Sequence, residues 1–235
     1  MLEEFATAFA KRFNNEPFVK WMDVVNETIL GNGTWFGPKE GTDKWENPWL
    51  KIGLDENGFP LYILKAFEIA NKHAPNLKFV YNQNVGMEDV MWNKVKETIM
   101  YLRSKGYRVD GIGWQAHLLM GAKRKDFVDN IDASMDKLSN LIDWEHQNDL
   151  EFHVTELDYL VKDESKLTIE RVIQKEVYQK LVDVLKTKSK NGVVTLNLWD
   201  VGVRYKKGVG SFQSIYDEDF NLTPAYDVIM DACSY

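Results

Sequence analysis

The sequence predicts an α/β fold made of parallel βα units, of the (β/α)8 barrel type. Apolar segments with the period of strands alternate with segments that have the period of helices, and each predicted strand ends in polar side chains. Neither a G-x-G-x-x-G nor a G-x-x-x-x-G-K-[ST] loop occurs, and such loops are typical of the nucleotide sites of open parallel sheets. A barrel therefore explains the sequence better than an open, doubly wound sheet does.

The predicted elements alternate along the whole chain. Leu2, Phe5 and Phe9 repeat with a helical period, and Pro75, Gly106 and Gly192 mark later helix ends. The helices are predicted at 2–13, 62–75, 90–106, 127–141, 169–192 and 226–230, and the strands at 19–27, 77–84, 109–117, 151–160 and 193–199. Residues 28–60 are rich in Gly, Trp and Pro and have no period, so a long loop is expected there.

Polar side chains collect at the C-terminal ends of all five predicted strands. These ends are Asn26 and Glu27, 82–84, 115–117, 156–158, and Trp199 with Asp200. A barrel places such ends around one mouth, where barrel enzymes keep their active sites. Alternation along "EFHVTELDYL" puts Phe152, Val154, Glu156 and Asp158 on one face, which begins apolar and ends acidic.

Composition bounds the class of protein. The 235 residues are 44% apolar and 13% aromatic, which fits a single domain over 1–235. The net charge of −7, without a basic stripe, argues against a nucleic-acid or membrane partner. Cys233 is the single cysteine, so no internal disulfide is possible. No run of about 18 apolar residues occurs, and the first residues are acidic, so we expect a soluble chain with any export signal outside it.

The side chains at the strand ends favour carboxylate chemistry. The sequence offers no Ser elbow, no Cys near a His and no H-E-x-x-H, and we expect no metal or cofactor. Glu27 and Glu156 remain, and two carboxylates flanking a bond are the equipment of glycoside hydrolysis. Aromatic rings stack on sugars, and six Trp side chains can supply such rings, although several of them are expected in the core: Trp21, Trp35, Trp45, Trp49, Trp114 and Trp199.

Five segments in the same order resemble glycoside hydrolase family 10, the endo-β-1,4-xylanases. They are "WMDVVNE", "NPWLKIG" with "YILKAFEIANKHAPNLKFVYN", "GYRVDGIGWQAHL", "FHVTELD" and "IYDEDFNLTPAYDVI". The resemblance covers nearly the whole chain. It implies a retaining enzyme on a (β/α)8 barrel that hydrolyses internal bonds of xylan, without a cofactor, and a secreted, periplasmic or cell-surface location.

The resemblance also implies roles for individual residues. Glu27 resembles the acid/base and Glu156 the nucleophile. His117 resembles the histidine that hydrogen-bonds the nucleophile, with Asp158 as a supporting carboxylate. The residues that resemble the substrate-binding side chains are Asn26, Asn82, Gln115 and Trp199.

The sequence departs from the family pattern at single positions and at its beginning. Val203 stands where an Asp is expected, Lys207 where a substrate-stacking Trp is expected, and Gln83 replaces another Asp. The first helix resembles the third helix of such a barrel, so about five βα units, strands 4 to 8, are present. We expect either a missing N-terminal barrel segment or self-association through open sheet edges, and weak or absent activity of the chain alone. A non-catalytic carbohydrate-binding or structural remnant and another β-glycan hydrolase stay open as alternatives.

Overall fold

The computed structural model describes residues 1–38, 47–84, 86–118 and 125–233. They divide into two compact units. Unit 1 comprises Met1–Gln83 and Glu88–Gly113, and unit 2 comprises Asn84–Met87 and Trp114–Tyr235. The prediction of one domain over 1–235 stays a prediction.

In the residues that the structure describes, unit 1 contains three α-helices, one 3-10 helix and three strands. In chain order they are α1 (Leu2–Phe13), β1 (Trp21–Asn26), a 3-10 helix (Pro48–Ile52), α2 (Leu61–His73), β2 (Lys78–Gln83), α3 (Asp89–Ser104) and β3 (Gly111–Trp114), whose last residue belongs to unit 2. β1 pairs with β2 in parallel, with Met22 beside Phe79 and Asn26 beside Asn82. β3 follows β2 in the strand order.

The core of unit 1 lies between α2 and β2. Phe67 and Ile63 of α2 and Phe79 and Tyr81 of β2 are fully buried, and the rings of Phe67 and Tyr81 stack with centroids 6.3 Å apart. β2 is buried along nearly its whole length because both of its faces carry apolar side chains, as expected of a central parallel strand. This packing fixes the end of β2, where the candidate site residues of unit 1 begin.

Unit 2 is organised around its longest strand. Its elements are β4 (His117–Leu118), α4 (Lys125–Asp129), α5 (Ile131–Gln147), β5 (Glu151–Val161), a 3-10 helix (Glu164–Lys166), α6 (Leu167–Lys188), β6 (Val194–Leu198), β7 (Arg204–Lys206), β8 (Gly210–Gln213) and α7 (Tyr226–Cys233). β5 pairs in parallel with β4 and β6 and antiparallel with β8, and β7 pairs antiparallel with β8. β5 therefore reaches every other strand of unit 2 directly or through β8.

The structure confirms the alternation of strands and helices but changes several elements. The strand predicted at 109–117 is split into β3 and β4 by Gln115 and Ala116, and the helix predicted at 127–141 is two helices. The register between β5 and β6 shifts between Val154 and Leu157. The β7–β8 hairpin was not predicted, because its segment carries no alternating apolar pattern and is stabilised by pairing with a distant strand. In the described residues, no helix is long and apolar enough to span a membrane.

Candidate active site

Unit 1 brings three of the predicted site residues together at the ends of β1 and β2. The Glu27 backbone amide donates a hydrogen bond to the Asn82 carbonyl at 3.1 Å. The Asn82 side-chain amide donates to Asn26 Oδ1 at 3.1 Å, and Asn82 is 1% exposed. Parallel pairing of Asn26 with Asn82 creates this contact, because paired residues of neighbouring strands point to the same face.

The backbone of Glu27 is held in an unusual conformation. Its φ is 53°, in the left-handed region that costs an L-residue roughly 1–2 kcal/mol relative to the right-handed one. Such a conformation persists only where the surroundings fix it, and it is common at functional sites. At Glu27 the conformation is fixed through the backbone of the two residues that follow it, Thr28 and Ile29.

Gln83 fixes the backbone after Glu27. Gln83 Oε1 accepts hydrogen bonds from the backbone amides of Thr28 at 3.1 Å and Ile29 at 3.3 Å, and Gln83 Nε2 donates to the Ile29 carbonyl at 2.6 Å. The Thr28 hydroxyl is also hydrogen-bonded to the Tyr81 hydroxyl. In the sequence alone, Gln83 is only a departure from the family pattern. The signal that was available is its place at the end of a buried strand, where a side-chain amide needs polar partners.

Unit 2 brings the predicted nucleophile, its histidine and its supporting carboxylate together. His117 of β4 lies beside Asp158 of β5, which places the imidazole between two carboxylates of β5. His117 Nε2 is 3.0 Å from Glu156 Oε2, and His117 Nδ1 is 3.0 Å from Asp158 Oδ1. The side chains of His117 and Glu156 are 12% and 14% exposed, whereas that of Asp158 is 1% exposed. Glu156 is thus the carboxylate of the pair that solvent reaches.

Charge and burial act against each other in this group. Burial lowers the pKa of His117, but the contacts with Asp158 and Glu156 outweigh it and raise the pKa to about 9. Burial raises the pKa of Asp158, and the nearby His117 and Arg204 oppose this without cancelling it. At neutral pH His117 is protonated, and its positive charge lies between the two carboxylates. An ionised carboxylate at a solvent-accessible strand end is suited to nucleophilic attack or to stabilisation of a developing positive charge.

Trp199 lies beside the same histidine. Its ring and the His117 ring are perpendicular, with centroids 5.8 Å apart and an interplanar angle of 85°. Its backbone amide donates to the Leu157 carbonyl at 3.1 Å, and the residue is 50% exposed. Trp199 is therefore not a core residue, and its free face is available for stacking. Gln115, two residues before His117, is 2% exposed.

The other tryptophans differ in exposure. Trp114 is 0% exposed and packs against Phe127 with ring centroids 5.6 Å apart, so it is one of the tryptophans expected in the core. Trp21 is 37% exposed. Trp35 and Trp49 are partly buried in unit 1, and Trp45 lies outside the described residues. Long-range packing decides which tryptophans are buried and which are exposed, and the sequence alone does not show that packing.

Metal binding has no support in the described part of the chain. Across 1–38, 47–84, 86–118 and 125–233, no group of three or more His, Cys, Asp or Glu side chains is arranged to hold a metal ion. Hydrogen bonds and charges therefore hold the two groups of site residues, the one around Glu27 and the one around Glu156, in place. Each is consistent with acid, base or nucleophilic chemistry carried by carboxylates.

Known proteins resemble this chain over almost its full length. An endo-1,4-beta-xylanase A of Thermoanaerobacterium saccharolyticum is 30% identical over 98% of this chain, which spans 18% of that protein. The exoglucanase XynX of Acetivibrio thermocellus is 29% identical over 98% of the chain and is covered to 19%. The crystal structure of xylanase 10B from Thermotoga petrophila in complex with xylobiose superimposes with a TM-score of 0.70 at 25% identity, covering 98% of this chain and 64% of that one.

The fold and the family follow from these matches. The solved xylanase supports a fold of the (β/α)8 barrel type, and this chain spans less than two thirds of the length of that xylanase. The family model for glycosyl hydrolase family 10 matches residues 1–232. The chain belongs to glycosyl hydrolase family 10.

Proposed function

We propose that this chain carries the two catalytic glutamates of a retaining hydrolase that cleaves internal β-1,4-xylosidic bonds of xylan. The observation that carries the proposal is the contact of His117 with both Glu156 and Asp158 at 3.0 Å, in a chain of family 10. Relatives named as endo-xylanases, and a structural relative solved with xylobiose, support xylan or xylo-oligosaccharides as the substrate. Neither a nucleic acid nor a membrane is part of the proposal.

The proposed reaction has two steps. Glu156 attacks the anomeric carbon while Glu27 donates a proton to the leaving oxygen, and a covalent glycosyl-enzyme forms. Water then attacks the same carbon, Glu27 takes its proton, and Glu156 leaves as a carboxylate. His117 contacts Glu156 and orients it for the attack, and Asp158 lies at the other nitrogen of the His117 ring. This part of the proposal rests on the contacts of His117 and on the left-handed, amide-clamped backbone of Glu27.

Three amides and one aromatic ring are proposed to bind the sugar. Asn26, held by Asn82, presents its side chain next to Glu27 in the chain. Gln115 precedes the strand of His117, and Trp199 offers a half-exposed ring beside His117. Hydroxyl groups of a sugar suit the amides, and the apolar face of a sugar ring suits the indole.

A covalent label tests the nucleophile in the complete polypeptide. A 2-deoxy-2-fluoro xylobioside with an activated leaving group forms the glycosyl-enzyme but hydrolyses it slowly, so we expect its mass on the peptide that contains Glu156. Glu156→Ala removes the label, whereas Glu164→Ala, an exposed acid of the same unit, retains it. Labelling at another acid refutes the assignment of Glu156.

The acid role of Glu27 is tested with two substrates. Glu27→Ala in the complete enzyme is expected to spare aryl glycosides with good leaving groups far more than xylan, because only xylan needs a proton on its leaving oxygen. An equal loss on both substrates removes the acid role from Glu27.

Two alternative functions are each favoured by one observation. Val203 and Lys207 depart from the family pattern in the segment after β6, which favours a binding or structural remnant without turnover. One relative is named an exoglucanase, which favours a different β-glycan as substrate. Release of reducing sugar from xylan, β-glucan and mannan by the same preparation separates them, since a remnant releases none and a glucanase prefers glucan.

A barrel segment from outside this chain is the partner that we propose for unit 1. A cleft of about 810 Å³ lies in unit 1, lined mainly by apolar side chains of α1, β1 and α2. Phe5 and Phe9 of α1 line this cleft and are 67% and 42% exposed. Burying such a surface stabilises a complex, whereas a monomer rarely exposes a large apolar patch.

We also propose a secreted, periplasmic or cell-surface location for the protein, as the family resemblance implies.

Light scattering and a xylan assay test this partner. We expect the 235-residue chain alone to self-associate through this surface and to hydrolyse xylan weakly or not at all. A monomer at working concentration with turnover typical of the family contradicts the need for an outside segment.

A further inference from the structure

The β7–β8 hairpin brings a cation to the carboxylate that supports His117. Arg204 lies in β7, and β8 joins this hairpin to the far end of β5 through pairs such as Tyr159 with Gln213. Arg204 Nη2 is 3.4 Å from Asp158 Oδ2, while Asp158 Oδ1 is the atom that His117 contacts. The two oxygens of one buried carboxylate therefore face two different cations.

Arg204 also holds a second carboxylate, Asp200, at the end of the segment that carries Trp199. Arg204 Nε is 2.7 Å from Asp200 Oδ2. The Asp200 carbonyl accepts a hydrogen bond from the Ser214 hydroxyl, which ties the same segment to the residue after β8. Asp200 and Asp158 repel each other, and Arg204 lies between them as the shared counter-charge.

The Arg204 side chain is restrained by a ring as well as by the two acids. Its guanidinium carbon lies 4.0 Å from the centroid of the Phe212 ring, and Phe212 is 1% exposed. A guanidinium that stacks on a ring and forks between two carboxylates has few alternative positions. Its contacts are consequently directional, unlike those of a solvated surface arginine.

We propose that Arg204 is a positioning residue, which orients Asp158 so that the His117 ring faces Glu156. The proposal rests on the proposed function of Glu156 as the nucleophile. It adds a residue from the hairpin, in the segment where the chain departs from the family pattern. Arg204 does not touch the substrate in this account, because it acts through Asp158 and His117.

In the described residues, the charged groups around Asp158 come from several different elements. His117 lies on β4, Glu156 on β5 itself, Arg204 on β7, and Asp200 follows β6; the buried Tyr178 of α6 also interacts electrostatically with Asp158. Loss of the Arg204 charge leaves the repulsion by Asp200 unopposed on that side. The pKa of Asp158, which burial already raises, is expected to rise further.

Carbon-13 NMR of the Asp158 carboxyl group, assigned with Asp158→Asn, tests the proposal without any need for activity. In Arg204→Gln the Asp158 titration moves to higher pH, and in Arg204→Lys it returns part of the way. Lys206→Gln removes the same charge from an exposed position of the same strand and leaves the titration unchanged. An Asp158 titration that is identical in wild type and Arg204→Gln refutes the proposal.

A second variant covers the case in which Arg204→Gln does not fold. Asp200→Asn removes the repelling carboxylate and frees Arg204 for Asp158, so the Asp158 titration moves to lower pH. A titration that moves upward or stays in place contradicts the shared role of Arg204.

Kinetics of the complete enzyme on an aryl xylobioside add the link to Glu156. We expect Arg204→Gln to lower kcat by roughly three- to tenfold and to leave KM nearly unchanged. In the pH profile of kcat, the acid limb should move to higher pH. A change in KM alone contradicts positioning through His117. If no variant and no wild type is active, the proposed function fails, while the NMR result still decides the role of Arg204.

Discussion

Gln83→Leu is expected to destabilise the protein by about 3 kcal/mol, because Gln83 is 0% exposed and makes three hydrogen bonds to the backbone of Thr28 and Ile29. Leucine has about the same side-chain volume as glutamine but can make none of the three hydrogen bonds. Each such bond contributes about 1 kcal/mol net, and a buried amide left without a partner costs about 1–3 kcal/mol. Water that enters reduces the cost, whereas the strained φ of Glu27 leaves little room for the segment to relax.

Urea denaturation measures this effect, and amide hydrogen exchange locates it. The free energy of unfolding should fall by about 3 kcal/mol, and the Thr28 and Ile29 amides should exchange faster than other amides of unit 1. Gln179→Leu is the matched control, because Gln179 is exposed on α6 and its side chain bonds only to Asp183 in the described structure. We expect the control to change stability by less than about 0.5 kcal/mol. A loss below about 1 kcal/mol in Gln83→Leu, with unchanged exchange at Thr28, would refute the clamp.

Three further predictions concern the charge of His117, the backbone at Gly210, and the distance between the carboxyl groups of Glu27 and Glu156. The pKa of His117 rises from its ordinary 6.5 to about 9, so its stabilisation is fully present below pH 6.5 and is lost as the pH rises through about 9. The stability difference between wild type and His117→Asn should therefore shrink by up to about 3 kcal/mol between about pH 6 and about pH 10, and a constant difference in urea denaturation contradicts this. Gly210→Ala should cost more than about 2 kcal/mol, because φ is +135° and the new Cβ lies 2.1 Å from a backbone carbonyl of β5; Gly202→Ala, with no atom within 4 Å, should be nearly neutral. In a crystal structure of the complete enzyme, the carboxyl groups of Glu27 and Glu156 should lie about 5 to 5.5 Å apart, and a separation beyond about 8 Å refutes the retaining mechanism.

The order and type of most elements could be read from the sequence. α1 at Leu2–Phe13 and β2 at Lys78–Gln83 match the predictions closely, because the period of apolar residues in a segment reflects which of its faces is buried. The candidate residues at the strand ends followed from the same logic, together with the family resemblance. The position of each candidate residue at the end of a strand can be read from the local sequence.

The partners of these residues were decided by the tertiary structure. Gln83 and Thr28 are 55 positions apart, and His117 and Glu156 are 39 apart, so no local pattern could pair them. The hairpin that carries Arg204 is stabilised by pairing with the extension of β5, and its sequence has little strand character of its own. Trp114 ends β3 and Trp199 directly follows β6, yet one is fully buried and the other half exposed. The sequence by itself determined which chemical groups are available and on which elements they lie. Only the packing of distant segments decided which of those groups touch, because hydrogen bonds and ion pairs depend on ångström-scale distances that the long-range fold sets.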